Sequence, residues 1–267
     1  LGSTSGGIFP LLAGANQQGA SDLGFGPDIV PGHVAIGGTA HKELLERVWK
    51  STIPAVPGLG VIDMIDAAAS GAISAMMIVG YDDALLNGDI PNALDALAKL
   101  DFLVVQDIHP SELSALADVV LPSVPFTEDI GTMTTQDRRV QLITPAIPPR
   151  GECLSDWQII GLIAGILECG EGFDYENSRQ VFDEIREIVP AYAGIQYETL
   201  GPGKGVQWPS LQTGMTTPTL YTDGFPSGRL SLQAMELVEV GPAAYSERYP
   251  LTMIPGRVLY QDNRDSE

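Results

Sequence analysis

Three short apolar runs constrain this chain most: Ala75-Met76-Met77-Ile78-Val79-Gly80, Phe102-Leu103-Val104-Val105-Gln106-Asp107 and Ala117-Asp118-Val119-Val120-Leu121-Pro122-Ser123. Each is too short for a helix, lacks period-two alternation and ends in Gly, Asp or Pro-Ser, the pattern of strands buried on both faces of a parallel sheet. Between the first two runs, Pro91 to Leu100 places Leu94, Leu97 and Ala98 on one face, with Lys99 in the last turn. Between the second and third, Ser111 follows Pro110 and can cap a short helix running to Ala117. The order is strand, helix, strand, helix, strand.

That order predicts an α/β chain with a Rossmann-like, mostly parallel sheet and helices on both faces, plus a smaller irregular α+β portion. In such a sheet ligands lie beyond the carboxyl ends of the strands, so Tyr81-Asp82-Asp83, Gln106-Asp107 and Pro122-Ser123 are expected to line one rim.

The flanking elements read as follows. Ile8 to Ala13 is a candidate first strand, and Ala15 to Gly24 a polar, glycine-bearing turn whose Asn16, Gln17 and Gln18 offer amides either to a ligand or to the turn's own backbone. Phe25 to Gly38 is loop. Ala40 to Trp49 is an amphipathic helix with Leu44, Leu45 and Val48 inward, and Leu59 to Ala69 is a second, ending at Gly71. Thr127 to Gln141 reads as a loop around Gly131 returning into a strand through Val140, Leu142 and Ile143. Asp156 to Glu168 forms a helix, apolar nearly all round and therefore expected to be buried, with Ser155 or Asp156 as its cap. Ser178 to Ile188 turns Val181, Phe182, Ile185 and Ile188 inward and stops at Pro190. From Ala191 to Phe225 only turns and short extended pieces are legible. Further extended segments are expected at Gly228–Val240 and Tyr249–Ile254.

Charge and cysteine content exclude several functions. With 34 acidic against 14 basic residues the net charge is -20, which opposes attraction to nucleic acid or anionic lipid. No apolar run approaches the length of a membrane span, so direct insertion is not expected. Cys153 and Cys169 form no CxxC pair, and His33, His41 and His109 are scattered, which argues against a metal or cluster held by this chain. Arg138 and Arg139 read either as a clamp for an anionic group or, beside Glu128, Asp129 and Asp137, as an ion-paired loop. Gly201-Pro202-Gly203-Lys204-Gly205 lacks the rest of a phosphate-binding loop, and no GxGxxG turn follows the first strand, so a free-standing nucleotide-binding module is disfavoured. Leu1 is not a Met, and the last strand barely leaves Pro255-Gly256, so a piece of a longer polypeptide is expected.

An ordered series of motifs carries a resemblance. Ala15-Asn16-Gln17-Gln18-Gly19-Ala20-Ser21-Asp22-Leu23-Gly24 with Pro31-Gly32 comes first, then Gly80-Tyr81-Asp82-Asp83, Val105-Gln106-Asp107-Ile108 and Ala117 to Pro122. Glu128 to Arg139, Ser155-Asp156-Trp157 and Tyr249-Pro250-Leu251 through Arg257-Val258-Leu259-Tyr260 complete it. Nearly the whole chain resembles the molybdopterin oxidoreductase superfamily, over the part between its iron–sulfur and active-site regions and its C-terminal barrel. The resemblance implies residues 1–150 as the Rossmann-like domain, 151–245 as a helical and extended continuation, and 246–267 as the start of a truncated barrel.

Within the superfamily, Gly14-Ala15-Asn16 looks like the large iron–sulfur subunit of NADH:quinone oxidoreductase, respiratory complex I, rather than the Arg-bearing run of formate dehydrogenases. That branch implies a scaffold segment with no catalytic residue of its own, iron–sulfur clusters elsewhere in the subunit, and other subunits of a multisubunit respiratory complex as partners. It also implies a peripheral place on the cytoplasmic side of the inner membrane. The alternative is part of a formate dehydrogenase catalytic subunit holding molybdopterin guanine dinucleotide. By the resemblance, Gln18, Tyr81, Asp82, Gln106, Asp107, Ser123, Asp129 and Asp156 occupy the pterin-dinucleotide slots, vestigial in the complex I branch. Asp129 departs from the family, because relatives that bind pterin carry a hydrogen-bond donor there.

Overall fold

The computed structural model describes residues 9–12, 14–80, 90, 92–201, 203–222, 224–225 and 228. The chain divides into two compact units, Leu1–Pro218 and Thr219–Glu267. The expected extended pieces beyond Gly228, including Tyr249–Ile254 and Arg257–Tyr260, lie outside the described residues.

The predicted parallel unit is present. Strands β3 (Ala75–Val79), β4 (Phe102–Asp107) and β5 (Val119–Pro122) form a three-stranded sheet in the order β3-β4-β5. Both pairings are parallel, with Met77 opposite Val104 and Val104 opposite Val119. Helices α3 (Val61–Ser70), α4 (Ala93–Leu97) and α5 (Glu112–Leu116) supply Ile65, Ala93, Ala96, Leu97 and Leu113 to a core with Leu103 and Val105. Each boundary has a local cause. Gly71 ends α3 in the left-handed conformation, where φ is +78°. Ser111 accepts the Ser114 N–H while the Ser114 hydroxyl accepts the Ser111 N–H, a closed capping box that starts α5.

On the opposite side of the sheet Met77, Val79, Phe102 and Val119 remain exposed to an extent that continuous apolar runs do not predict. The described helices pack chiefly on the side of Leu103 and Val105, and that side alone carries the buried cluster.

A second core joins α2 (Thr39–Trp49), α7 (Ser178–Ile188) and a three-stranded antiparallel sheet of β6 (Gly131–Thr134), β7 (Arg139–Ile143) and β8 (Gly205–Gln207). Leu45, Val140, Phe182, Ile188, Val189, Tyr192, Ile195 and Leu200 are its buried members. Asn177 caps α7 by accepting the Gln180 N–H at 3.2 Å, and the bounds of this helix are those the sequence predicts.

Five readings are corrected. Phe9 to Leu12 forms no strand, with Phe9 and Leu11 largely solvent-exposed; Ile8 and Ala13 lie outside the described residues. The polar turn at 15–24 contains a helix, α1 (Gln17–Asp22), and the loop at 25–38 contains a two-residue hairpin of β1 (Ile29–Val30) and β2 (Val34–Ala35). Gly131 begins strand β6 instead of centring a loop, because its neighbours pair with β7. Helix α6 (Asp156–Ile166) buries only Ile159 and Ala164; Ile160, Leu162 and Ile166 are exposed, Ile166 by 81%. Apolar content reports a preference for burial but cannot name the surface that provides it.

Candidate functional site

The strand ends converge as the parallel order requires. The Ser123 N–H donates to the Asp107 carbonyl at 3.0 Å and the Gly80 N–H to the Gln106 carbonyl at 2.8 Å, so β3, β4 and β5 finish at one edge. Gly80 then turns away with φ +80°, which only glycine adopts without strain. A fourth segment joins this edge: Ser123 and Leu154 form a parallel bridge, and Val124 N–H donates to the Leu154 carbonyl at 3.1 Å. Leu154 thereby delivers Ser155 and Asp156, the start of α6, to the ends of β4 and β5.

The side chains there interlock. Gln106 Nε2 donates to Asp156 Oδ1 at 2.7 Å, and Ser123 Oγ donates to the same oxygen. Asp107 Oδ1 accepts the Ile108 N–H at 2.6 Å. Asp129 Oδ1 accepts the Ser155 hydroxyl at 2.6 Å and the Ile130 N–H at 2.8 Å. Glu128, also buried, accepts the Arg150 N–H at 3.0 Å. Gln106, Asp107 and Ser123 are 1%, 6% and 6% exposed, whereas Asp156 is at the surface.

Two acceptors in this arrangement have no partner: Gln106 Oε1 and Asp107 Oδ2 are buried without a hydrogen bond. An unsatisfied buried polar group costs about 1–3 kcal/mol and calls for an explanation. Successive strand residues project to opposite faces, so the edge offers one acceptor to each side of the sheet. Trp157 Nε1, one residue beyond Asp156, is a buried donor without a partner that the sequence did not single out. A ligand laid along this edge meets mainly acceptors, which suits N–H or O–H donors such as a guanine edge or ribose hydroxyls and opposes phosphate.

The remaining predicted residues divide. Tyr81 and Asp82 lie outside the described residues. Gln18 belongs to α1, where its Nε2 donates to Asp22 Oδ1 at 2.8 Å. Asn16, whose amide is expected to serve either a ligand or the turn's own backbone, instead accepts the Thr134 N–H at 2.8 Å. Asp22 in turn accepts the Tyr192 hydroxyl at 2.7 Å, and Tyr192 meets Thr134 Oγ1 at 2.8 Å. Burial raises the Asp22 carboxyl above the usual Asp range, against the lowering effect of its Tyr192 and Gln18 donors. The segment is thus anchored by partners more than a hundred residues away, which no local pattern could announce. Arg138 donates to the carbonyls of Trp208, Thr217 and Pro218 and lies 5.3 Å from the Trp208 ring centre; Arg139 pairs with Asp137 at 3.2 Å. The ion-paired reading of this loop holds for Arg139 with Asp137, and Arg138 donates to backbone carbonyls.

Among the described residues no group of three or more His, Cys, Asp or Glu could hold a metal ion, and no helix is long and apolar enough to cross a membrane.

Residues 3–166 match the family model of molybdopterin oxidoreductases. The chain belongs to the molybdopterin oxidoreductase family. The matched span contains the sheet edge and Asp156. This molybdopterin oxidoreductase chain is 37% identical over 260 residues to the "Probable oxidoreductase YjgC" of Bacillus subtilis, covering 97% of the chain and 26% of that protein. It is 36% identical over 263 residues to the F420-dependent formate dehydrogenase subunit alpha of Methanocaldococcus jannaschii, covering 97% of the chain and 38% of that protein. The chain therefore spans between about a quarter and two-fifths of these relatives. Acetylene hydratase from Pelobacter acetylenicus aligns over 66% of the chain and 27% of its own length with a TM-score of 0.44 and 19% identity.

Proposed function

We propose that this chain is the dinucleotide-holding portion of a formate dehydrogenase-type catalytic subunit, in which the β4–β5 edge binds part of a molybdopterin guanine dinucleotide. The single observation that carries the reading is the pair of buried, unpartnered acceptors, Gln106 Oε1 and Asp107 Oδ2, at the carboxyl edge of the parallel sheet in a molybdopterin oxidoreductase.

The donor chemistry fits the group in part. Gln106 Oε1 and Asp107 Oδ2 would accept N–H and ribose O–H donors of the guanosine, and Asp156, already engaged with Gln106, would complete the rim. Asp129 does not fit a phosphate or pterin acceptor: its carboxylate faces Ser155 and Ile130, so this chain offers no cation where relatives that bind pterin place a donor. When bound, the cofactor supplies two-electron redox chemistry at its metal. The residues described above hold, orient and desolvate one end of it. Association with partner subunits belongs to the same proposal, because a relative aligned over 97% of the chain is named as a subunit alpha; electron transfer through clusters elsewhere is part of the proposal as well.

The complex I branch rested on Gly14-Ala15-Asn16 and on the acid at Asp129. The named relatives aligned over 97% of the chain are an oxidoreductase and a formate dehydrogenase subunit, which favours the second branch. The test is made on the full-length protein from cells supplied with molybdate or tungstate. Bound metal, GMP released by acid, and formate-dependent dye reduction are measured for wild type and Asp107→Ala. We expect all three in wild type and loss of GMP and metal in the variant. Full-length protein that holds neither molybdenum nor tungsten would sink the proposal.

A further inference from the structure

The two ends of the Gln106 side-chain amide are chemically opposite, one a donor and one an acceptor, and the amide can be turned over at little steric cost. Which end faces a ligand therefore depends on what holds the other. Here Nε2 is held by Asp156 Oδ1 at 2.7 Å, which leaves Oε1 as the free end.

Asp156 is exposed and at the first position of a helix, so its carboxylate has other rotamers and water available to it. Ser123 Oγ donates to the same Oδ1. Ser123 is almost fully buried and its backbone is fixed on both sides, by its N–H to the Asp107 carbonyl and by the parallel bridge to Leu154. The hydroxyl thus issues from a backbone pinned on both sides.

We infer that Ser123 is a positioning residue: through Asp156 Oδ1 it fixes the Gln106 amide with its carbonyl oxygen toward the ligand, and it makes no ligand contact itself. This rests on the dinucleotide reading above and assigns Ser123 a different role from the direct contact that family resemblance implies. A carboxylate at 156 is required because it can only accept; an amide there could offer its own N–H and turn Gln106 over.

The consequence is a specific non-additivity. If Ser123 acts only through Gln106, its removal matters only while Gln106 is present, whereas a residue that merely supports the fold adds its cost to any background. The experiment compares full-length wild type, Ser123→Ala, Gln106→Met and the double variant. The readouts are the GMP released by acid after dialysis, and the melting temperature of the same proteins from cells unable to make the dinucleotide. Ser123→Ala is expected to retain a small fraction of the wild-type GMP with nearly unchanged melting of the unloaded protein. The double variant is expected to match Gln106→Met, and Asp156→Asn to lose GMP as Ser123→Ala does.

Wild-type retention of GMP by Ser123→Ala overturns the inference, as does an additive double variant or a fall in unloaded melting that tracks the loss of GMP. Wild-type protein without GMP overturns the function proposed above, and the inference with it; a loaded wild type beside an unaffected Ser123→Ala overturns the positioning role alone.

Discussion

Replacing Tyr192 by Phe removes one hydroxyl and nothing else from a buried chain of three polar side chains. Tyr192 is 3% exposed and Asp22 5%, and the phenol donates to Asp22 Oδ2 at 2.7 Å while meeting Thr134 Oγ1 at 2.8 Å. At neutral pH the variant leaves a buried carboxylate with the Gln18 donor and the weaker lowering influence of Trp208 and His33. Hydrogen bonds to charged groups contribute about 1.5–3 kcal/mol, so a loss of about 2 kcal/mol is expected, or roughly 4–8 °C of melting temperature for a folded unit of this size. The pH dependence is the sharper test. Burial raises the Asp22 carboxyl in the folded state above its ordinary value of 3.8. The folded protein then holds this proton to higher pH than the unfolded chain, so stability from Asp22 is present in acid and lost as pH rises through the folded value. Tyr192 opposes that rise, so without it the folded value climbs further. Once Asp22 is protonated in both proteins, the phenol contributes only a neutral hydrogen bond, about 0.5–1.5 kcal/mol. Urea unfolding at about pH 7.5 and at an acid pH below the folded Asp22 value should therefore show a Tyr192→Phe deficit that shrinks in acid. A deficit equal at both pH values, or below about 0.5 kcal/mol at neutral pH, refutes the coupling.

Two further perturbations test the fold that carries the site. Phe182 lies in the second core with its ring 6.4 Å from that of Tyr192 and 5.8 Å from that of Tyr197, and Phe182→Ala should cost about 3–5 kcal/mol in urea unfolding. Gly194 donates its N–H to the Ser210 carbonyl at 2.6 Å, and a Cβ there would sit 2.4 Å from the Gln212 carbonyl carbon. Since backbone cannot step aside as a side chain does, Gly194→Ala should destabilise by roughly 1–3 kcal/mol, measured by the same unfolding curves.

The strand–helix–strand–helix–strand order, the Ser111 cap, the Gly71 stop and the span of α7 were legible because each is decided within a few residues of chain. Apolar run length, a hydroxyl before a helix and a glycine after one act over a single turn. From these alone the common edge of Gln106, Asp107 and Ser123 followed, since parallel strands must end together.

What tertiary structure alone decided were the partners. Asn16 and Asp22 were open to any use until Thr134 and Tyr192 arrived from 118 and 170 residues away, and α6 was apolar without a stated surface. Gln106 and Asp156 are 50 residues apart, brought together by the Ser123–Leu154 bridge. A side chain's type limits the bonds it can make. Which of those bonds it makes depends on what the fold sets within 3 Å of it, and that distance is not written in the order of residues.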